Sequence, residues 1–271
     1  MSTRAGLWHA VIGVLRRDAV LFWSYRFRVL SQTLTRFMSL ALFYYLSRLV
    51  TVGGFRSPDV YFGYVAVGIV ILTVLTATLT AVPIGVRQEL VAGTFERFVV
   101  SPTGAVVGVA AMLLFPLMLS VLLGIVQIVL AGLVFGLDVQ IPLALLAVPA
   151  AVLAAAAFAP LALLVAAAAI LAKQAAGSVT IVTTGMALAG GFFFPVTLLP
   201  GWIRWVSEVQ PFTPALELMR HLVVGAPLLP DSGLTCVAKL GAFTLVLLPV
   251  TLWVLDRAVA MGRGHGTLTE Y

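Results

Sequence analysis

Charge is scarce in this chain: Asp, Glu, Lys and Arg make up 10% of its 271 residues, against 62% hydrophobic. Mean hydropathy is +1.13. Soluble globular domains carry about 25% charged residues, so a soluble domain is excluded and an integral membrane protein is implied. Cysteine is nearly absent as well. The single Cys236 cannot form an internal disulfide or a cysteine-rich metal site, and it reads as a packing residue. The only histidines, His9, His221 and His265, share no metal-ligand spacing, and the chain has neither an HExxH motif nor clustered carboxylates. Its two lysines, Lys173 and Lys239, precede Gln174 and Leu240, so neither belongs to a Walker A loop, and any nucleotide site must sit on a partner. Basic runs are missing despite a net charge of +6. The arginines stand singly at the ends of apolar segments, which is a membrane-topology pattern and excludes nucleic acid as a partner.

The long apolar segments lack the short alternation of an outer-membrane barrel, so an all-α protein with six transmembrane helices is expected. The spans fall near residues 29–50, 60–82, 105–135, 143–172, 175–194 and 234–255. Arg36 lies about two turns into the first, close enough for its long side chain to reach the headgroups. A kink is expected at Pro116 in the third. The fourth is almost pure alanine, valine and leucine, suited to close helix packing. Residues 1–28 read as an amphipathic helix on the inner interface, because Leu7, Val11, Val14, Leu15 and Phe22 recur near helical spacing among arginines. The charges at Arg16, Arg17, Asp18, Arg26 and Arg28 interrupt any signal-peptide core. With this layout eleven Lys and Arg residues lie inside and five outside, which places both termini in the cytoplasm. Arg204 and Arg220, in the long outer segment, go mildly against that rule. The second to fifth spans hold no charged side chain, which disfavours coupling to a proton or sodium gradient.

Two stretches between spans carry the functional signal. The inner one, residues 83–104, contains RQELVAGTFERFVVSP. Gly93 and Thr94 can break and cap a helix there, Glu96 and Arg97 offer mixed charge, and Phe95, Phe98 and Val99 add an apolar surface fit for docking. The outer one, residues 191–225, is too polar to span and too apolar for an ordinary loop. Pro195, Pro200, Pro211 and Pro214 cut it into short pieces, and Trp202 and Trp205 fall on one helical face as interface anchors. Within it, Glu217 and Arg220 at i and i+3 suggest a helical salt bridge.

Both stretches, in this order and on opposite sides of the membrane, resemble those of the type-2 ABC transporter permeases, the membrane subunits of exporters of the daunorubicin-resistance and polysaccharide-export kind. The inner stretch matches the family's charged helix, Gly-Thr-aromatic-Glu and Ser-Pro. The outer FFFPVTLLPGWIRWVSEVQPFTPALELMR matches its Phe-Pro, Leu-Pro, Gln-Pro and Thr signature. Gln88 departs from the pattern, where a charged residue is common. The resemblance implies one permease domain over residues 1–271 in the cell membrane, working as two copies with two ABC ATPase subunits. Those subunits would bind ATP and Mg, and this chain would hold no cofactor. It implies an ATPase-coupling segment at Arg87, Glu89, Gly93, Thr94, Phe95, Glu96 and Arg97. It also implies re-entrant helices over residues 195–233 that form an outer gate, with Phe194, Pro195, Pro200, Trp202, Trp205, Pro211 and Thr213. The expected cargo is amphipathic: a drug, natural product, lipid or lipid-linked glycan. The competing expectations are an ion-coupled or passive transporter acting without an ATPase, and a membrane scaffold or enzyme on lipids.

Overall fold

The computed structural model describes Gly13, Arg16 and Val20 and residues 26–49, 55–94, 104–172, 176–228 and 231–264. Among the described residues the chain is helical and has no strand. The elements are α1 (Arg26–Leu49), α2 (Pro58–Val91), α3 (Gly104–Ala111), α4 (Leu114–Phe135), α5 (Ile141–Ala172), α6 (Ala176–Ala189), a 3-10 turn (Val196–Leu198), α7 (Gly201–Val209), α8 (Phe212–Val224) and α9 (Gly233–Gly264). Four stretches are long and apolar enough to cross a membrane: α2, α3 with α4, α5, and α9. The chain is an integral membrane protein. α6 contributes a shorter apolar helix, Val179–Ala189. α1 has the length for a span, 24 residues or about 36 Å, but Arg26, Arg28, Arg36 and Arg48 dilute its hydropathy. Of the expected interfacial helix, Gly13, Arg16 and Val20 are helical and exposed; the rest of residues 1–25 lies outside the described residues.

α2 and α5 form the centre, packed on each other, with α9 on the far side of α5 and α4 and α1 beside α2. Alanines let α5 be approached closely from two sides. Ala154, Ala157, Ala162 and Ala166 are fully buried, so dispersion contacts replace the hydrophobic drive that is missing between helices in lipid. Gly124 on α4 does the same against α2, since a Cβ there would stand 2.9 Å from Val70 Cγ1. At one end of the bundle an aromatic layer binds the helices together. Phe135 stacks on Phe37 at 5.4 Å and lies 5.0 Å from Tyr44 and 5.8 Å from Phe62.

Prolines acted unevenly. Pro83, Pro149, Pro160 and Pro249 sit inside continuous helices. The third span breaks at Met112 and Leu113, one turn before Pro116. Proline has no N–H to offer the carbonyl four residues back, and its ring crowds that carbonyl, so the break falls on Met112. α2 also runs further than its apolar stretch. Residues 83–91, expected within a loop that carries its own short helix, instead continue α2 itself, because Val82, Pro83, Val86 and Leu90 keep one face buried.

Gln127 on α4 is 2% exposed, and both atoms of its carboxamide are buried without a hydrogen-bond partner. An unsatisfied buried polar group costs about 1–3 kcal/mol. Gln127→Leu, close in volume, is therefore expected to raise the melting temperature of the purified chain in detergent. An unchanged or lower melting temperature would contradict this account.

Candidate functional site at the outer segment and the inner turn

The outer segment begins where α6 stops. The amide of Gly190 donates to the Met186 carbonyl at 2.8 Å and that of Phe192 to Ala187 at 3.2 Å, and Gly191 turns the chain with φ +80°. A Cβ on Gly191 would meet Val196 Cγ2 at 2.7 Å, so this turn demands glycine twice over. Pro195 then precedes the 3-10 turn and Pro200 precedes α7. Both fix φ near the value a helix start needs.

α7 is amphipathic by position. Trp202, Trp205 and Val209 are 76%, 62% and 63% exposed, while Ser207 on the opposite face is buried. Arg204 lies between the tryptophans in sequence and is tied back, its guanidinium donating to the Thr197 carbonyl at 2.6 Å. α8 is the reverse case. Between Phe212 and Val223 all but Glu217 and His221 are buried, against α2, α5 and α9. The predicted gate residues therefore divide. Trp202, Trp205 and Pro200 are exposed, Phe194 and Pro195 are half-buried, and Pro211 and Thr213 are buried at the start of α8. Gln210 joins the parts, its amide donating to the Met186 carbonyl and to Thr213 Oγ1, each at 3.3 Å.

Arg220 is the most constrained polar residue here, only 3% exposed. Its Nε donates to the Tyr64 carbonyl at 3.0 Å, Nη1 to Gly191 at 3.0 Å and Nη2 to Phe192 at 2.9 Å. The guanidinium carbon lies 3.3 Å from the Tyr64 ring centroid, and the Tyr64 hydroxyl donates to the same Gly191 carbonyl at 3.0 Å. Gly68 makes the room, because a Cβ there would be 3.0 Å from the Phe192 ring and 3.2 Å from Nη2. Burial lowers the Arg220 pKa to about 10, which leaves it charged at neutral pH. The expected pair with Glu217 does not form. Glu217 lies one turn away, but the guanidinium is turned into the bundle, where the carbonyls left over at the end of α6 receive it.

Glu217 faces a different group. Its carboxylate, the Asp231 carboxylate and the Cys236 thiol place ligand atoms within 4.8 Å of one another, but Lys239 already forms an ion pair with Asp231 there. The trio thus carries its own cation. Burial first, and Asp231 second, push the Glu217 carboxyl up to about 7, with Lys239 and Arg220 opposing. A carboxyl whose pKa is raised on folding costs the folded state only when it is ionised there, so its contribution to stability is complete below about 4.5, where both states hold the proton. That contribution fades as pH rises from about 4.5 through about 7. Between pH 5 and 8 the melting temperature of the wild-type chain should therefore fall more steeply than that of Glu217→Gln. Parallel curves would mean that Glu217 titrates normally.

At its C-terminal end, α2 closes through Gly93, whose φ is +66°, with the Thr94 amide donating to the Glu89 carbonyl at 2.9 Å. The Thr94 hydroxyl donates to the Glu89 carboxylate. Arg87 is exposed, one turn before the end of α2. Phe95, Glu96 and Arg97 lie outside the described residues. Sequence reasoning singled out neither Tyr64 nor Gly68. The available signal was Arg220 itself, an arginine on the wrong side by the charge rule, together with a glycine inside an apolar span.

A bundle of long apolar helices, with a turn carrying charges at one end and a proline-cut segment folded onto the other, is the form of a transporter's membrane component. The family model described as ABC-2 type transporter matches residues 9–224, and the chain belongs to this family. The match ends at the last residue of α8 and so contains residues 83–104 and residues 191–224. No curated protein matches the chain significantly. The family is a membrane transport component, not itself catalytic, and normally works with an ATPase subunit.

Proposed function

We propose that the chain is the membrane subunit of an ATP-driven exporter in the cell membrane, with two copies pairing with two ATPase subunits that bind ATP and Mg. The family match over residues 9–224 carries this reading. The placement of its parts supports it. Arg87, Glu89, Gly93 and Thr94 lie at one end of α2, next in sequence to Phe95, Glu96 and Arg97, and form the coupling segment. Residues 195–233 form the outer gate, in which α7 lies in the interface by its tryptophans and α8 dips between the spans as a re-entrant helix. α1, the α3 and α4 pair, α6 and the longer helices make up six spans, with both termini cytoplasmic. The cargo is amphipathic, as a path between Leu, Val, Ala and Phe side chains with few charges requires. Alternating access would follow closure and separation of the ATPases.

Co-expression with an ABC ATPase subunit tests this reading. The two should copurify, and ATP hydrolysis should depend on the chain. Flux driven by an ion gradient through the chain alone would replace this reading with a secondary transporter.

A further inference from the structure

We propose that α2 and the outer segment move as one rigid body joined at Arg220, so that displacement of the inner turn reaches the outer gate with no hinge between them. The inference rests on the exporter reading and adds a positioning residue and a load path to it. α2 is a single helix of 34 residues, about 51 Å long. One end carries Arg87 and Glu89, and the other is bound to the outer segment at three places. The first is Arg220, which reaches Tyr64 on α2 and Gly191 and Phe192 after α6 with one planar group, and lies over the Tyr64 ring. The second is the Tyr64 hydroxyl on Gly191. The third is the contact of Gly63 with Val224 at the end of α8, where a Cβ on Gly63 would lie 3.7 Å from the Val224 Cβ.

The chemistry of the joint makes it stiff. A guanidinium holds five donors in a fixed fork, so its three acceptors cannot shift independently of one another. The acceptors are three backbone carbonyls, and leaving them would strand a cation in a dry interior. Breaking the joint once per transport cycle is therefore the costly route, and moving it intact is the cheap one.

A disulfide decides between the two. In a Cys236→Ala background, Gly63→Cys with Val224→Cys gives two Cβ atoms at a separation within the usual 3.5–4.5 Å of a disulfide. The chain, reconstituted with its ATPase in liposomes, is assayed for ATP hydrolysis and for ATP-dependent efflux of doxorubicin as an amphipathic probe. The bond should form on oxidation, and both rates should stay within about twofold of the reduced protein. Failure of the bond to form, or efflux that stops on oxidation and returns on reduction, overturns the proposal. A second arm uses Arg220→Gln. Hydrolysis should persist within about twofold while efflux falls at least about tenfold; a merely structural role would lower both in proportion to the folded complex, and that result would also count against it. If Arg220→Gln does not fold, the disulfide arm still decides. If the unsubstituted chain gives no ATP-dependent efflux, the exporter reading fails, and bond formation still reports on the joint.

Discussion

Gly190→Ala is expected to leave little folded protein, although it adds a single methyl group. A Cβ at position 190 would stand 2.5 Å from the Met186 carbonyl oxygen, 2.5 Å from Phe212 Cδ1 and 2.9 Å from Gln210 Nε2. None of the three can give way easily. The carbonyl is backbone of α6 and already accepts from the Gly190 amide and from Gln210. Phe212 is fully buried and lies 6.3 Å from Phe158, itself fully buried in α5. Moving Gln210 would break its bond to Thr213 and leave more of its amide unsatisfied. Overpacking of this kind costs about 3 kcal/mol or more when backbone is among the atoms displaced. Gly185→Ala is the control, five residues earlier on the same helix. No atom lies within 4 Å of its Cβ position, and a mid-helix Gly-to-Ala change gains up to about 1 kcal/mol. Melting curves of both variants, followed by size exclusion in detergent, should move in opposite directions. Equal behaviour would mean that α6 does not meet α8 closely at Gly190.

Legibility in the sequence followed the kind of force involved. Lipid imposes a coarse demand, apolar side chains over a fixed length, and composition alone met it. The regions of α2, α3 with α4, and α5 were expected from charge-free runs, and that of α9 from an apolar run broken only by Lys239. Limits set by packing were less visible. Residues 83–91 carry Arg87 and Glu89 and were expected in a loop with a short helix of its own, yet a stripe of Val82, Val86 and Leu90 against the bundle makes them the end of α2. Pro116 gave the position of a distortion but not its form, since four similar prolines, Pro83, Pro149, Pro160 and Pro249, left their helices unbroken. Arg220 was misread for a different reason. Spacing along one helix suggested Glu217 as its partner, whereas the true acceptors lie 28, 29 and 156 residues away and are backbone carbonyls, which carry no residue-type signal.

Phe95→Ala and Glu96→Ala are expected to weaken ATPase association, with ATP-dependent efflux down at least about tenfold, while each variant melts like the parent chain. The reason lies in how α2 ends. Gly93 is left-handed and has open space around its Cβ position, and Thr94 is bound back to Glu89 through both its amide and its hydroxyl. The chain therefore leaves the helix in a set direction at Thr94, and Phe95 and Glu96 come next. An aromatic anchor in an interface is worth about 2 kcal/mol or more, close to a 30-fold loss of affinity on truncation. Interior packing contributes nothing to that figure, which is why stability should hold. Glu89→Ala separates direction from the aromatic contact: it removes the carboxylate acceptor for the Thr94 hydroxyl and leaves Phe95 and Glu96 in the chain, so association should weaken less than with Phe95→Ala. Normal pull-down and efflux by the Phe95 and Glu96 variants would remove this turn from the ATPase contact and shift the search for it to other inner surfaces of the chain.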